Sequence, residues 1–151
     1  MGATRDLLLD LQSALAGDSE FVTWCRDTFG RAPTIQIEVV NLERLDDEDF
    51  PFIGFFEIVQ DEGIARPRQS WSIKLLAAVD NPALTREQAA NGTVTRAYAG
   101  RLEAEDLRER ALAALFQAAL GIKITASGAI VPNNFHPRYY SGTQLEIEKQ
   151  I

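Results

Sequence analysis

The sequence predicts an α+β domain: a mostly antiparallel sheet of about four to five strands, with helices packed on one face. Two dense runs, residues 50–59 and 71–79, alternate with a period of two and are rich in aromatic and β-branched side chains, the mark of paired strands. Elsewhere, leucines and aromatics recur three and four apart, which is helical spacing. The order of segments is helix, helix, three strands, helix, two strands. Both paired runs carry apolar residues on both faces. Phe50, Phe52, Gly54, Phe56 and Ile58 alternate with Ile53, Phe55, Glu57 and Val59, and Trp71, Ile73, Leu75, Ala77 and Val79 with Ser72, Lys74, Leu76 and Ala78. Helices shelter one face only. The other face requires more protein from the same chain or a second copy, and the expectation is that a lone copy cannot shelter it fully.

Each element has its own warrant. Thr4 is placed to cap a first helix whose stripe is Leu7, Leu8, Leu11 and Leu15, ended by Gly17. Asp18 caps a second, in which Phe21, Trp24, Cys25, Thr28 and Phe29 fill the helical template and Gly30 closes it. Pro33 opens a strand over residues 34–40. Residues 41–49, with the run Asp46, Asp47, Glu48 and Asp49, read as a solvated loop. The connector between the paired strands, residues 60–70, holds Gly63 and Arg66-Pro67-Arg68 and is too long for a tight turn, so it projects from the sheet. Thr85-Arg86-Glu87-Gln88 reads as a capping box opening a short helix toward Asn91-Gly92. Residues 93–100 read as a loop or an edge strand. A long helix follows over residues 102–120, with Leu107, Ala111, Leu115 and Ala118 as its stripe and Asp106 spaced to pair with Arg110. A short strand over 122–126, a turn at Ser127-Gly128, an irregular aromatic loop over 132–140 and a strand over 143–149 complete the chain.

Composition bounds the function. At 151 residues, 46% hydrophobic and 25% charged, the chain is expected to form one domain with a core of its own. No apolar run reaches the roughly 20 residues of a membrane helix. The first residues lack a basic segment before the leucines, which argues against a secretory signal, and Asp6 argues against myristoylation. The single cysteine excludes an internal disulfide and suits a reducing compartment. Asn91-Gly92-Thr93 matches a glycosylation sequon with nothing else to suggest secretion. The net charge of −7, from 22 acids and 15 bases, opposes nucleic-acid binding, because affinity there comes from neutralising phosphates.

Catalytic and metal chemistry finds few footholds, and no cofactor is expected. His136 is the lone histidine, without a second ligand at metal-site spacing, and Asp46–Asp49 lacks the spaced ligands of a calcium loop. Cys25 sits on an apolar stripe with nothing to lower its pKa. Glu57 and Lys74 interrupt facing strands and are expected to neutralise one another; the functional alternative makes Glu57 a lone acid catalyst. Arg66 and Arg68 form either a soluble loop end or a positive finger reaching an acidic patch, such as Asp46, Asp47 and Asp49, on a neighbouring copy. His136, Arg138, Tyr139 and Tyr140 form an aromatic and basic loop that packs either at an interface or back on its own core.

This layout, from the N-terminal helices through a strand pair with a long connector to a C-terminal strand after an aromatic loop, resembles the phage tail terminator (tail completion) proteins, including gpU-like and Mu-like tail proteins. The likeness spans residues 4–149 and is one of order and texture rather than of a short motif. It implies a structural, non-enzymatic virion protein at the tail–neck junction, assembled in the host cytoplasm. Such a protein forms a homohexameric ring that ends polymerisation of the tail tube and offers a docking face to the head or neck. The implied partners are further copies, the tail tube protein and a head or neck connector protein, with no membrane. Residues 60–70 would then contact the tube or an adjacent subunit, and an acidic lumen would let DNA pass without lodging. Residues 85–100 correspond to nothing expected of the family. The alternatives are a head–tail connector ring, a small ligand-binding domain with residues 135–140 lining a pocket, and an enzyme centred on Glu57.

Overall fold

The computed structural model describes residues 2–39, 41–61, 68–130, 134 and 136–150, with the backbone alone at Arg68 and Gln150. In chain order the elements are α1 (Ala3–Ala16), α2 (Ser19–Phe29), β1 (Thr34–Ile37), β2 (Phe52–Asp61), β3 (Arg68–Asp80), β4 (Leu84–Gln88), β5 (Val94–Tyr98), α3 (Ala99–Gln117), β6 (Ile122–Ile130) and β7 (Arg138–Gln150). Five strands form one sheet in the order β1-β2-β3-β7-β6, and β4 and β5 form a separate two-stranded sheet. Within the larger sheet β1 runs parallel to β2, and the other neighbours are antiparallel. The α+β class and the helical layer on one face agree with the sequence.

The main core lies between that layer and the sheet. Leu7, Leu11 and Leu15 of α1 meet Phe21 and Cys25 of α2, Leu107, Ala111 and Leu115 of α3, and Ile53, Phe55, Trp71, Ile73, Leu75, Leu145 and Ile147 of the sheet. Trp71 is 1% exposed, and burying a side chain of that size contributes on the order of 2–3 kcal/mol. Its indole must also find an acceptor in the interior. Thr4 provides it: the Thr4 hydroxyl accepts from Trp71 Nε1 at 3.0 Å and donates to Gln60 at 2.8 Å. Thr4 therefore lies inside α1, one residue past its start, and Gly2 occupies the cap position predicted for it. Asp18 caps α2 as predicted, accepting from the Phe21 N–H at 3.0 Å. Thr28, placed on the α2 stripe by spacing, is exposed.

The apolar end of the opposite face is covered by the chain itself, which corrects the expectation that a lone copy cannot shelter it fully. After β1, Glu38 adopts a φ of 68° and its N–H donates to Phe55 O at 2.7 Å, turning the chain across the sheet. The strap that follows is not simply a solvated loop. Leu42 and Leu45 lie in or beside a one-turn 3₁₀ segment, Leu42–Arg44, and pack with Val39 against Phe50, Phe52, Leu76, Ala78 and Tyr140 in a second, smaller core. Of its acids, Asp46, Asp47 and Glu48 face solvent. Gly54 makes this close approach possible: a Cβ there would lie 2.3 Å from Val39 Cγ2 and 2.9 Å from the Phe52 ring.

Beyond the strap the outer face turns polar. Gln144 Nε2 donates to Ser72 Oγ at 3.0 Å and to Glu146 at 2.9 Å, bridging β3 and β7. Here β2 is bulged, with the register shifting between Phe56 and Val59. Glu57 takes a φ of 46°, a left-handed conformation uncommon for a residue with a side chain. The bulge breaks the predicted alternation, so that Ile58 joins the main core and Val59, 60% exposed, points outward.

Other boundaries moved for physical reasons. The predicted capping-box helix at Thr85–Gln88 is strand β4, hydrogen-bonded to β5. No apolar stripe follows the box to hold a helix against the core, whereas Val94-Thr95 offers β-branched partners. Residues 93–100 accordingly divide into edge strand and helix start. Helix α3 begins at Ala99, three residues earlier than its stripe suggested, because Gly100 packs flat on Tyr139; a Cβ there would sit 2.6 Å from the ring. Arg110 lies over the Trp24 ring at 4.8 Å instead of pairing with Asp106, and Glu105 takes both Arg101 and Arg108. Ser127-Gly128 is a bulge within β6 and not a turn. Both sheet edges are blunted: Gln12 caps the Ile35 carbonyl on β1 at 2.9 Å, and β6 carries Lys123 and its bulge. Strands β2 and β3 run to Asp61 and from Arg68, so most of the predicted projecting connector lies outside the described residues, as does Val40 of the predicted first strand.

Replacing Gly54 by Ala is expected to destabilise the fold by about 1–3 kcal/mol, through forced displacement of Val39 and Phe52. Gly128→Ala, where a Cβ meets nothing within 4 Å, should stay within about 0.5 kcal/mol. Urea midpoints of the two variants check the contrast.

Candidate functional site

The end of the sheet where the strap crosses β7 gathers most of the residues singled out by sequence. Arg138, at the start of β7, is only 21% exposed. Its Nε donates to Asp80 at 3.3 Å and its Nη2 to Asp47 at 3.2 Å, while the guanidinium lies 4.8 Å over the Phe50 ring. Burial opposes the charge, but these two carboxylates hold the Arg138 pKa above its ordinary value. One cation thus ties the strap, β3 and β7 together. Arg31 adds a weaker link, donating to the Asp47 carbonyl at 3.3 Å. Asp49 accepts from the Asp46 N–H at 2.8 Å and helps shape the strap's second turn. Within the acidic run, then, Asp47 and Asp49 serve the chain's own fold, and Asp46 and Glu48 face outward. Arg66, the proposed reacher toward them, lies outside the described residues. Arg68 is placed by its backbone, paired with Gln150.

Tyr139 and Tyr140 do not form an exposed loop. Strand β7 starts at Arg138, and alternation sends Tyr139 into the main core and Tyr140 into the smaller one, leaving 6% and 5% of them exposed. The interface reading of these two side chains is corrected: they pack back on the chain, and they fill space instead of lining a pocket. The Tyr140 N–H is bound by the Asn134 side chain at 2.8 Å, and burial raises the Tyr140 phenol pKa. His136 Nδ1 lies 2.6 Å from the Tyr139 hydroxyl, and Tyr98 of β5 stands 5.0 Å from the His136 ring and 6.1 Å from the Tyr139 ring. This aromatic trio anchors the base of the β4–β5 hairpin. Phe135 lies outside the described residues.

Glu57 and Lys74 form an ion pair, made from the bulge and not by direct opposition, since Lys74 faces Phe56 across the ladder. The Glu57 carboxylate is 59% exposed, so the desolvation an acid catalyst would need is missing. Cys25 is fully buried, and burial pushes its pKa up to about 12 against the opposing effect of Arg110; such a thiol is no nucleophile. Among the described residues no group of three His, Cys, Asp or Glu is placed to hold a metal ion, and no helix is long and apolar enough to cross a membrane.

The most conspicuous outward feature escaped sequence reasoning. The β4–β5 hairpin stands apart from the main sheet with nearly every residue exposed, and carries Leu84, Val94 and Tyr98 at 48%, 39% and 47% exposure. Its signal was faint: β-branched residues at Val94-Thr95, and an Asn91-Gly92 turn in which Asn91 accepts from the Thr93 N–H at 3.0 Å.

A scan against protein-family models gave no match to this chain, and a search of curated proteins found none similar to it.

Arg138→Ala is expected to cost roughly 1–3 kcal/mol, because it frees the strap and strands the half-buried Asp80. Arg138→Lys should recover only part, since an ammonium cannot span both carboxylates and stack on Phe50. Asp47→Ala, at an exposed carboxylate, should cost under about 1 kcal/mol. Denaturant titration of the three variants tests this ranking. A pH dependence is also expected from Glu105. Burial works to raise its pKa, but hydrogen bonds from Arg101 and Ser141 and the charge of Arg108 hold it below the ordinary value. Its folded-state pKa being depressed, the stabilisation is present above the unfolded-state pKa and is lost as pH falls through the folded value. Glu105→Gln should flatten the acid limb of a stability–pH profile.

Proposed function

We propose that the chain is a structural subunit of a ring that closes the end of a phage tail tube, a tail terminator. The reading rests on the resemblance in element order: N-terminal helices, a strand, a strand pair with a long connector, a helix and a C-terminal strand. The observation that supports assembly is the β4–β5 hairpin, an element with no counterpart expected in that family, which contributes little to the protomer's core and holds apolar and basic side chains out in solvent. Apolar residues held out on one element offer a surface for contact with other molecules.

The ring does not derive from an uncovered sheet face, because the strap covers it. Contacts between copies fall to the hairpin and to the connector bearing Arg66 and Arg68, of which residues 62–67 lie outside the described residues. The tube protein and a head or neck connector protein would meet the two faces of the ring. With a net charge of −7, a lumen of like charge lets DNA pass without specific binding. A head–tail connector ring is the neighbouring reading, and the same assembly measurements separate it by which partner the ring takes.

Light scattering of the purified chain, alone and with tail tube protein, is expected to give a hexamer mass; a monomer under both conditions overturns the reading. Tails assembled without the protein should appear overlong or unjoined by electron microscopy, and normal tails would equally count against it. Reversing the charges of Arg66 and Arg68 should impair assembly while leaving thermal unfolding unchanged.

A further inference from the structure

We propose that the β4–β5 hairpin is an arm whose seat is the acidic groove between α2 and α3 of a second copy of this chain. Cross-strand register places Leu84 opposite Tyr98, Arg86 opposite Arg96 and Gln88 opposite Val94, and directly opposed residues share one face. That face therefore sets two guanidinium groups side by side, flanked by exposed apolar residues. Directly opposed like charges destabilise a strand pair. Neither guanidinium has an ion-pair or hydrogen-bond partner among the described residues, and both residues are exposed. A two-stranded sheet alone is marginal in water, so this pairing is tolerable in an arm that finds an anionic surface.

The chain carries such a surface. A groove of about 520 Å³ between α2 and α3 is lined by Asp18, Glu20, Asp106 and Glu109, with Trp24 as an apolar wall and Arg110 as the single base. Arg110 is already held over the Trp24 ring, and no ion pair of the described residues involves Glu20, Asp106 or Glu109. The complementarity covers charge and apolar contact together: Arg86 and Arg96 meet the acids, and Val94, two residues from Arg96 on the same face, meets Trp24. Dimensions agree. Five-residue strands are about 17 Å long. The stretch of α3 from Asp106 to Gln117 that lines the groove spans about 16 Å.

Within one chain, no hydrogen bond, ion pair or ring contact joins the arm to these groove residues. Arm and groove are different surfaces, so the contact between copies is head-to-tail. Repeated, such a contact closes into a ring when its rotation permits. The inference rests on the ring reading and deepens it by naming the joint. The charge pairing sets register and partner choice, and the apolar contacts add affinity.

The test is a charge swap in the full chain, followed by sedimentation velocity across a concentration series, with thermal unfolding by circular dichroism to confirm folding. Arg86→Glu with Arg96→Glu reverses the arm, and Glu20→Lys with Glu109→Lys reverses the groove. Each pair alone is expected to raise the concentration needed for assembly tenfold or more. Mixing the two reversed proteins should restore assembly, since the acidic arm of one fits the basic groove of the other. If the unaltered chain assembles and the arm-reversed chain assembles equally well, the arm is not the joint and the ring reading stands without it. If assembly is lost but mixing does not restore it, the groove is not the seat. A chain that stays monomeric, alone and with tube protein, overturns ring and arm together. Arginine-dependent binding of a short DNA duplex by fluorescence anisotropy, with assembly unchanged in the arm-reversed protein, assigns the arm to nucleic acid and overturns the proposal.

Discussion

The fold depends on how its central strands become dry on both faces. Strands β2, β3 and β7 present apolar side chains to the helices and, at one end, to the opposite side as well. Burial of such surface is the main favourable term in folding, and an uncovered second face would leave Phe52, Leu76 and Tyr140 in water. The chain answers with a short strap laid across the sheet immediately after β1. Three local features let it lie there: a left-handed residue at Glu38 turns the chain, the absent side chain at Gly54 admits Val39, and Arg138 pins the acidic turn to β3 and β7. Each is modest alone. Together they turn a sheet that would otherwise need a neighbour into a protomer with two cores.

That arrangement relocates the surfaces available to partners. The outer face divides into an apolar half under the strap and a polar half where Ser72, Gln144 and Glu146 satisfy one another. The bulge at Glu57 marks the boundary, sending Ile58 inward and letting Glu57 reach Lys74. Neither half resembles the fully apolar core of an obligate interface. Among the described residues, the element that projects is the β4–β5 hairpin. Among these residues the hairpin is held at its base, by the packing of Tyr98 on His136 and Tyr139 and by the Ala99 N–H donating to Ala83 O at 3.0 Å.

Much of this was legible along the chain, and the failures have a common cause. Stripes such as Leu7, Leu11 and Leu15, or Leu107, Ala111 and Leu115, declare themselves because helical burial repeats at fixed spacing. Caps such as Asp18 are equally local. Misread segments were those where a distant residue outweighed local preference. Thr85-Arg86-Glu87-Gln88 satisfies the capping-box pattern, but cross-strand bonds to β5 decide its state. Tyr139 and Tyr140 look like an interface loop beside Pro137, yet pairing of β7 with β3 from Arg138 onward sends them into two different cores. Among the candidate site residues, the Glu57–Lys74 pair was foreseeable from charge alone. The Arg138 staple was not, because Asp47 and Asp80 lie far from it in sequence.

The amino-acid sequence by itself determined the class of fold, the buried stripes of α1, α2 and α3, the central strands and the absence of an internal disulfide, since each follows from periodicity, composition or a cysteine count within a short window. Only the tertiary structure decided what covers the second face of the sheet, which way the aromatic residues of β7 point, and that residues 84–98 form a free-standing hairpin. Those outcomes turn on which distant groups meet and on whether a side chain fits between two backbones. At Gly54 and Gly100 the decisive fact is a gap too narrow for one carbon atom, and nothing along the chain measures that distance.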